Sequence, residues 1–209
     1  LLQRAIIERV ADSKEVAVAF SGGLDSTVIS TLTKHTTKVH LVHVSLKNQP
    51  EIEHARQIAE ELKLPIEVCL YDEEDVEKDL PEVLWLIEGG DPIDAGIGIP
   101  VYWAAQSVIK ADLAVMLSGQ GADELFGGYR RYVDEYVQCG ERKVQKTMFR
   151  DIVELHRSIE KGFKICNSLG VEIILPFVNY ELAEFAASLP SEMKMERSEN
   201  TLRKLVLRR

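Results

Sequence analysis

A parallel, twisted α/β sheet with flanking helices, followed by an all-helical carboxyl-terminal part, is the fold this sequence predicts. Short apolar runs alternate with amphipathic stretches through the first half of the chain. Two of those runs end in glycine-rich turns carrying acids, and beyond Gly127 the apolar spacing is almost wholly helical. Alternation of this kind is what right-handed crossovers between parallel strands require.

Residues 1–11 (LLQRAIIERVA) have helical spacing, and EVAVAF at 15–20 is a short apolar run bounded by turn residues, as a strand buried on both faces would be. A helix is expected over 24–34 and a strand over 39–46. After the break at Asn48-Gln49-Pro50 an amphipathic helix is expected over 51–64. IEVCLY at 66–71 reads as a third strand, and EEDVEKDLPEVLWLIE as helix with Pro81 a candidate division. EGGDPIDAGIGIP (88–100) reads as a loop, VYWAAQSVIK as helix, and DLAVMLS (112–118) as a fourth strand. Helical segments follow at 129–139, 141–162, 180–189 and 201–209. A boundary near Gly127-Gly128 thus divides an α/β core, 1–126, from a helical part, 127–209, that completes the site. Trp85 and Trp103 are expected in the core.

Composition narrows the function. Of 209 residues, 45% are hydrophobic and 28% charged, as in ordinary soluble proteins. No apolar run approaches the ~20 residues of a membrane span, and no signal-peptide pattern opens the chain, so a cytoplasmic protein is expected. The chain starts at Leu1 and ends within a helical pattern, which reads as trimming. Net charge is −9 with no basic stripe, which argues against nucleic acid as a partner. Cys69, Cys139 and Cys166 form no CxxC pair and are expected as buried free thiols. His40 and His43, three apart on one strand, face opposite sides and give no metal signature.

The chemistry is concentrated in AVAFSGGLDSTVIS, residues 17–30. In a parallel sheet, ligands sit beyond the carboxyl ends of the strands, where Ser21 to Ser26 fall. Gly22 and Gly23 let backbone approach a ligand closely. Their amides, with the free N–H groups opening the next helix, cradle an anion, and the hydroxyls of Ser21, Ser26 and Thr27 add donors. No lysine lies between Lys14 and Lys34, so this is not a Walker loop. Asp25 would repel a phosphate unless a cation lay between them; otherwise it merely caps the helix. A second strand ends likewise, in LSGQGADELFGGY at 117–129. Two such turns can face each other across a triphosphate, with Asp25 and Asp123 sharing Mg²⁺.

SGGLDST resembles the pyrophosphate loop of the N-type ATP pyrophosphatases. SGQGADELFGGY, LGVEIILPFVNYELAEFAASLP and RKLVLRR resemble, in order, further stretches of the synthetase domain of asparagine synthetases. The resemblance implies that Ser21, Gly22, Gly23, Asp25 and Ser26 hold pyrophosphate and Mg²⁺, with Asp123 completing the metal site. It places Phe20, Val44, Ser118 and Gly119 around the adenosine and Lys204 over the α-phosphate. The implied reaction adenylates a carboxylic amino acid with ATP, releases pyrophosphate, and lets ammonia attack the acyl-adenylate.

The sequence departs from that family where the acceptor would bind. Only twenty residues precede Ser21, so the nitrogen is expected from free ammonia, from a separate partner such as a glutaminase subunit, or from another amine. Gln120 stands at an often acidic position, and a glutamine cannot take a proton from an amine. Ile93-Asp94-Ala95-Gly96 replaces a Thr-Thr-Ile-Arg loop, and Glu172 to Asn179 lack the usual arginine and acid. Arginine is the natural holder of a substrate carboxylate. Lys204, Gln120 and Glu172 remain the catalytic candidates, with Glu172 open between a surface charge and a substrate-site acid. Two other readings stay open: another adenylating enzyme of this fold, such as a β-lactam-forming cyclase, or an ATP-binding regulator with a decayed acceptor site.

Overall fold

The computed structural model describes residues 1–198 and 202–208. Five parallel strands form one sheet in the order β3-β2-β1-β4-β5: β1 Glu15–Ala19, β2 Lys38–Leu46, β3 Ile66–Tyr71, β4 Val115–Leu117 and β5 Glu172–Ile174. The central β1 is buried on both faces, which its unbroken apolar run requires. The chain builds outward from β1 through β2 to β3, then returns to the other side of β1 for β4 and β5. The strand order therefore reverses between β1 and β4, the switch point at which such sheets bind ligands.

Helices α1 Leu2–Val10, α2 Leu24–Thr33 and α3 Glu51–Leu62 lie in the amino-terminal half, as expected. Helix α4, Glu73–Ile87, opens on a capping box of Asp72 and Asp75 and runs through Pro81 without division. Helix α5, Pro92–Lys110, starts well before the expected point. Asp91 accepts from the Ile93 amide at 2.7 Å, and Pro92 in the first turn has no amide to satisfy, so the segment read as a loop is helical from residue 92. Gly98 explains part of its glycine content: a Cβ there would lie 2.7 Å from Val83 Cγ1 of α4. Gly98→Ala should cost about 1–2 kcal/mol, an overpacking penalty partly offset by helix propensity, and urea unfolding will read it.

The carboxyl-terminal part carries α6 Ala122–Phe126, α7 Arg130–Cys139, α8 Glu141–Glu154, α9 His156–Ser168, α10 Tyr180–Ser188 and α11 Ser191–Lys194. It also contributes the three-residue β5, whose Glu172 amide donates to Ala114 O at 2.8 Å. The expected helix over 201–209 is not formed among its described residues. Arg203 bridges Met195 in antiparallel fashion, Lys204 has φ 56°, and only Leu205–Arg208 form a 3₁₀ turn. Residues 201 and 209 of that expectation lie outside the described residues.

Three smaller expectations change. Trp103 is buried, but Trp85 is 77% exposed on α4. Trp103 stacks on Tyr71 with centroids 3.9 Å apart and donates from Nε1 to Asp79 at 2.7 Å, which satisfies its polar edge. Of the thiols only Cys166 is buried; Cys139 is exposed and Cys69 intermediate on the edge strand β3. Among the described residues no helix is long and apolar enough to cross a membrane.

Candidate nucleotide site

The turn after β1 is held by its own hydroxyls. Ser26 Oγ donates to Gly23 O at 3.1 Å and accepts from the Ser21 amide at 3.3 Å, and the Gly23 amide donates to Ser21 Oγ at 3.2 Å. Gly22 adopts φ 75°, and a Cβ there would sit 3.0 Å from Ala55 Cα of α3, so this position combines a left-handed turn with close backbone approach. Gly23 caps α2 without a side-chain hydrogen bond. The first amides of α2 are thus left for an anion.

The turn after β4 comes against it. A Cβ on Gly119 would be 2.9 Å from Asp25 Cβ. Between the two turns opens a cleft of about 480 Å³, lined along the turns by Ser21, Asp25, Ser26, Ser118, Gly119 and Asp123. Its deeper wall is apolar: Phe20, Val44, Val101, Ala104, Met116 and Ile173. Phe20, Val44, Ser118, Gly119 and Gln120 all line the cleft. Gly22 and Gly23 shape the turn without lining the cleft, and Glu172 is an exposed residue at the start of β5 outside it.

Lys204 reaches the cleft's acids. Its Nζ donates to Asp25 Oδ2 and, at 2.8 Å, to Asp123 Oδ1, so one ammonium bridges both carboxylates. The approach is possible because residue 128 is glycine: a Cβ there would overlap both Asp123 Oδ1 and Lys204 Cε. Arg203 Nη1 donates to Gly128 O at 2.6 Å and the Leu207 amide to Lys204 O at 2.9 Å, which hold the lysine's left-handed backbone in place. Burial pushes the Asp25 carboxyl above its usual range, against the opposing pull of Lys204.

The donor set fits a divalent cation. Asp25 Oδ1 is buried with no partner, and Asp25 Oδ2 and Asp123 Oδ1 converge on one point. Among the described residues no cluster of three or more His, Cys, Asp or Glu side chains is placed to hold a metal. Two carboxylates with the remaining ligands from phosphates and water are what Mg²⁺ takes in nucleotide sites.

Sequence reasoning missed His43, Glu51, Ile97, Pro100, Val101, Ala104, Met116 and Ile173 as cleft residues. His43 is buried and its Nδ1 donates to Phe20 O at 2.8 Å, tying β2 to the residue before the glycine turn. Ile97 and Pro100 were hidden by the reading of 88–100 as a loop. Gly128 was quoted within a motif without a role; the paired glycines before Tyr129 were the available signal.

Fold and site together define an α/β protein with a parallel sheet in which glycine turns after the first and fourth strands border one cleft. The asparagine synthase family matches residues 1–162 and 138–209, and the chain belongs to that family. A protein of Methanocaldococcus jannaschii, provisionally named glutamine-hydrolysing asparagine synthetase 1, is 34% identical over 95% of this chain and 37% of its own length. Glutamine-hydrolysing asparagine synthetase 3 of Arabidopsis thaliana is 26% identical over 99% of this chain and 37% of its own. The chain thus spans about 37% of the length of these relatives. The NH3-dependent NAD synthetase of Campylobacter jejuni superposes with TM-score 0.45 at 16% identity, over 78% of this chain and 93% of that one.

Proposed function

We propose that this chain is an ATP-dependent carbon–nitrogen ligase unit that adenylates a carboxylate and passes the acyl group to ammonia. The observation that supports this best is the convergence of Lys204, Asp25 and Asp123 at the mouth of a cleft with an uncapped helix start on one side and an apolar wall on the other. The apolar wall takes the adenine, and the α2 amides with Ser21 and Ser26 take the β- and γ-phosphates. Asp25 and Asp123 would hold Mg²⁺, which, when bound, neutralises phosphate charge in a cleft whose own acids would repel it.

The cradle grips the part of ATP that leaves. A carboxylate oxygen of the acceptor bonds to the α-phosphorus, the bond from that phosphorus to the bridging oxygen breaks, and pyrophosphate departs on the amides. Ammonia then attacks the acyl carbon, AMP leaves with the carbon–oxygen electron pair, and the nitrogen loses a proton. Gln120 borders the acceptor but takes no proton; its amide can only orient an amine or carboxylate.

The purified chain, given ATP, ammonium and a candidate acid, is expected to form AMP and pyrophosphate, and to stop when magnesium is chelated. ADP and phosphate as products, or undiminished ATP binding under chelation, would sink the reading.

A further inference from the structure

Two helices that contribute nothing to the cleft lining expose apolar side chains among charges of opposite sign. On α4 the exposed positions recur at Glu74, Lys78, Pro81 and Trp85, with Glu77 and Glu82 beside them. On α8 the same spacing exposes Arg142, Lys146, Phe149 and Val153, with Arg150 beside them. Steps of four, three and four residues keep each set on one helix face. Phe149 and Val153 are 60% and 57% exposed, comparable with Trp85. The inward sides are already filled, by Val83 and Ile87 on α4 and by Val144 and Met148 on α8. The outer apolar residues are therefore surplus to the packing of one chain.

The two faces match each other. Helices of 15 and 14 residues are about 22 and 21 Å long. Laid side by side in parallel, one register sets Glu74 opposite Arg142, Pro81 opposite Phe149 and Trp85 opposite Val153. It does so because the intervals of seven and four residues are the same on both helices. Glu77 then flanks the seam on the side of Arg150, as charged positions flank the seam of a coiled coil. The one mismatch is Lys78 against Lys146. Among the described residues Arg142 and Lys146 have no ion-pair partner, whereas Lys143 and Arg150 lie 3.8 and 3.5 Å from Glu135 and Asp151. Within one chain the faces do not meet, since Trp85, Phe149 and Val153 are all exposed.

We propose that the α4 face of one copy of this chain docks on the α8 face of a second copy, as a parallel helix pair centred on Trp85, Phe149 and Val153. A nucleic acid or an anionic membrane would suit the cations of α8 but leave the acidic face around Trp85 without a partner. A second copy satisfies both. Because the faces differ, the contact is head-to-tail, and each pair leaves one free face of either kind. A single helix pair is a small interface, so the association is reversible and weakened by salt. Self-association of this kind is independent of the adenylation reading.

Sedimentation velocity over a range of protein and salt concentrations tests this. The weight-average mass is expected to rise with protein concentration and to fall as salt is added. Arg142→Glu and Trp85→Ala should each raise the dissociation constant about tenfold or more, with Tm unchanged because both positions are exposed. Adding Glu74→Arg to Arg142→Glu should restore most of the association, since every copy then carries the exchanged pair. Lys78→Glu removes the mismatch without deleting a contact, so it should tighten association severalfold, and it decides the matter if another variant loses Tm. A chain that stays monomeric at about 1 mM overturns the proposal. So does association untouched by Arg142→Glu and Trp85→Ala, or a failure of both Glu74→Arg to restore and Lys78→Glu to tighten it. Duplex DNA or phosphatidylserine vesicles bound through Arg142 and Lys146 by a chain that remains monomeric would overturn it in favour of a polyanion.

Discussion

Gly128→Ala should abolish most pyrophosphate release while leaving the fold in place. A methyl group at residue 128 would occupy the space of Asp123 Oδ1 and Lys204 Cε. Both are ends of side chains, so they can swing away at little cost to stability, and Gly128 has no positive φ that alanine would strain. What is lost is position: the carboxylate and the ammonium can no longer meet at one point. Misplacing charged groups by about 1 Å in a preorganised site reduces rates by about 100-fold or more, so a fall of 100- to 1000-fold is expected. Gly90→Ala supplies the control, because nothing lies within 4 Å of a Cβ there. Pyrophosphate release and Tm measured on both variants check this. A Gly128→Ala chain that unfolds, or one with normal activity, would show that the contact has no catalytic meaning.

Much of this site was legible in the sequence because its signals are local. A strand that runs into Ser-Gly-Gly, followed by an uncapped helix, announces an anion cradle by backbone chemistry alone. The second turn, from Ser118 to Asp123, could be read the same way, and the structure brings Gly119 against Asp25. What stayed hidden depends on long-range contacts. Strand β5 is three residues long and set among helices, so its identity comes from pairing with β4 rather than from any period of its own. Helix α5 contains glycines and prolines that signal a loop, yet the Asp91 cap and the Val83 contact make it helical. Trp85, apolar and at helical spacing, reads as core, but among the described residues its side of α4 is left exposed.

The end of the chain shows the same limit with more consequence. Arg203 to Arg208 has the apolar spacing of a helix, and as a helix it would present Lys204 on a regular surface. Instead Arg203 is drawn to Gly128 O and Met195, and the chain turns left-handed at Lys204. A lysine at φ 56° is uncommon and persists because its surroundings fix it, as strained residues at functional sites do. The sequence motif pointed to the residue; only the folded chain explains how it reaches two acids far away in sequence.

Lys204→Ala should lower pyrophosphate release by about 100-fold or more while changing ATP affinity little. Attack on the α-phosphorus builds negative charge on its non-bridging oxygens, and the departing pyrophosphate carries more. An ammonium held beside them stabilises that charge more in the transition state than in bound ATP, so its loss falls on rate. Lys204→Arg should rescue poorly, since a planar guanidinium does not fit the space Gly128 leaves for a narrow lysine stem. A second consequence can be read without turnover. In the free chain Lys204 Nζ already stands between Asp25 Oδ2 and Asp123 Oδ1, where a divalent cation would compete with it. Removing the lysine leaves the carboxylates mutually repelling and open, so Mn²⁺ without nucleotide should bind Lys204→Ala more tightly than the original chain. Mn²⁺ titration followed by electron paramagnetic resonance measures that difference. Equal Mn²⁺ affinity in the two chains would mean that the lysine and the cation do not share a site. Equal losses of rate and ATP affinity would assign Lys204 to binding the ground state.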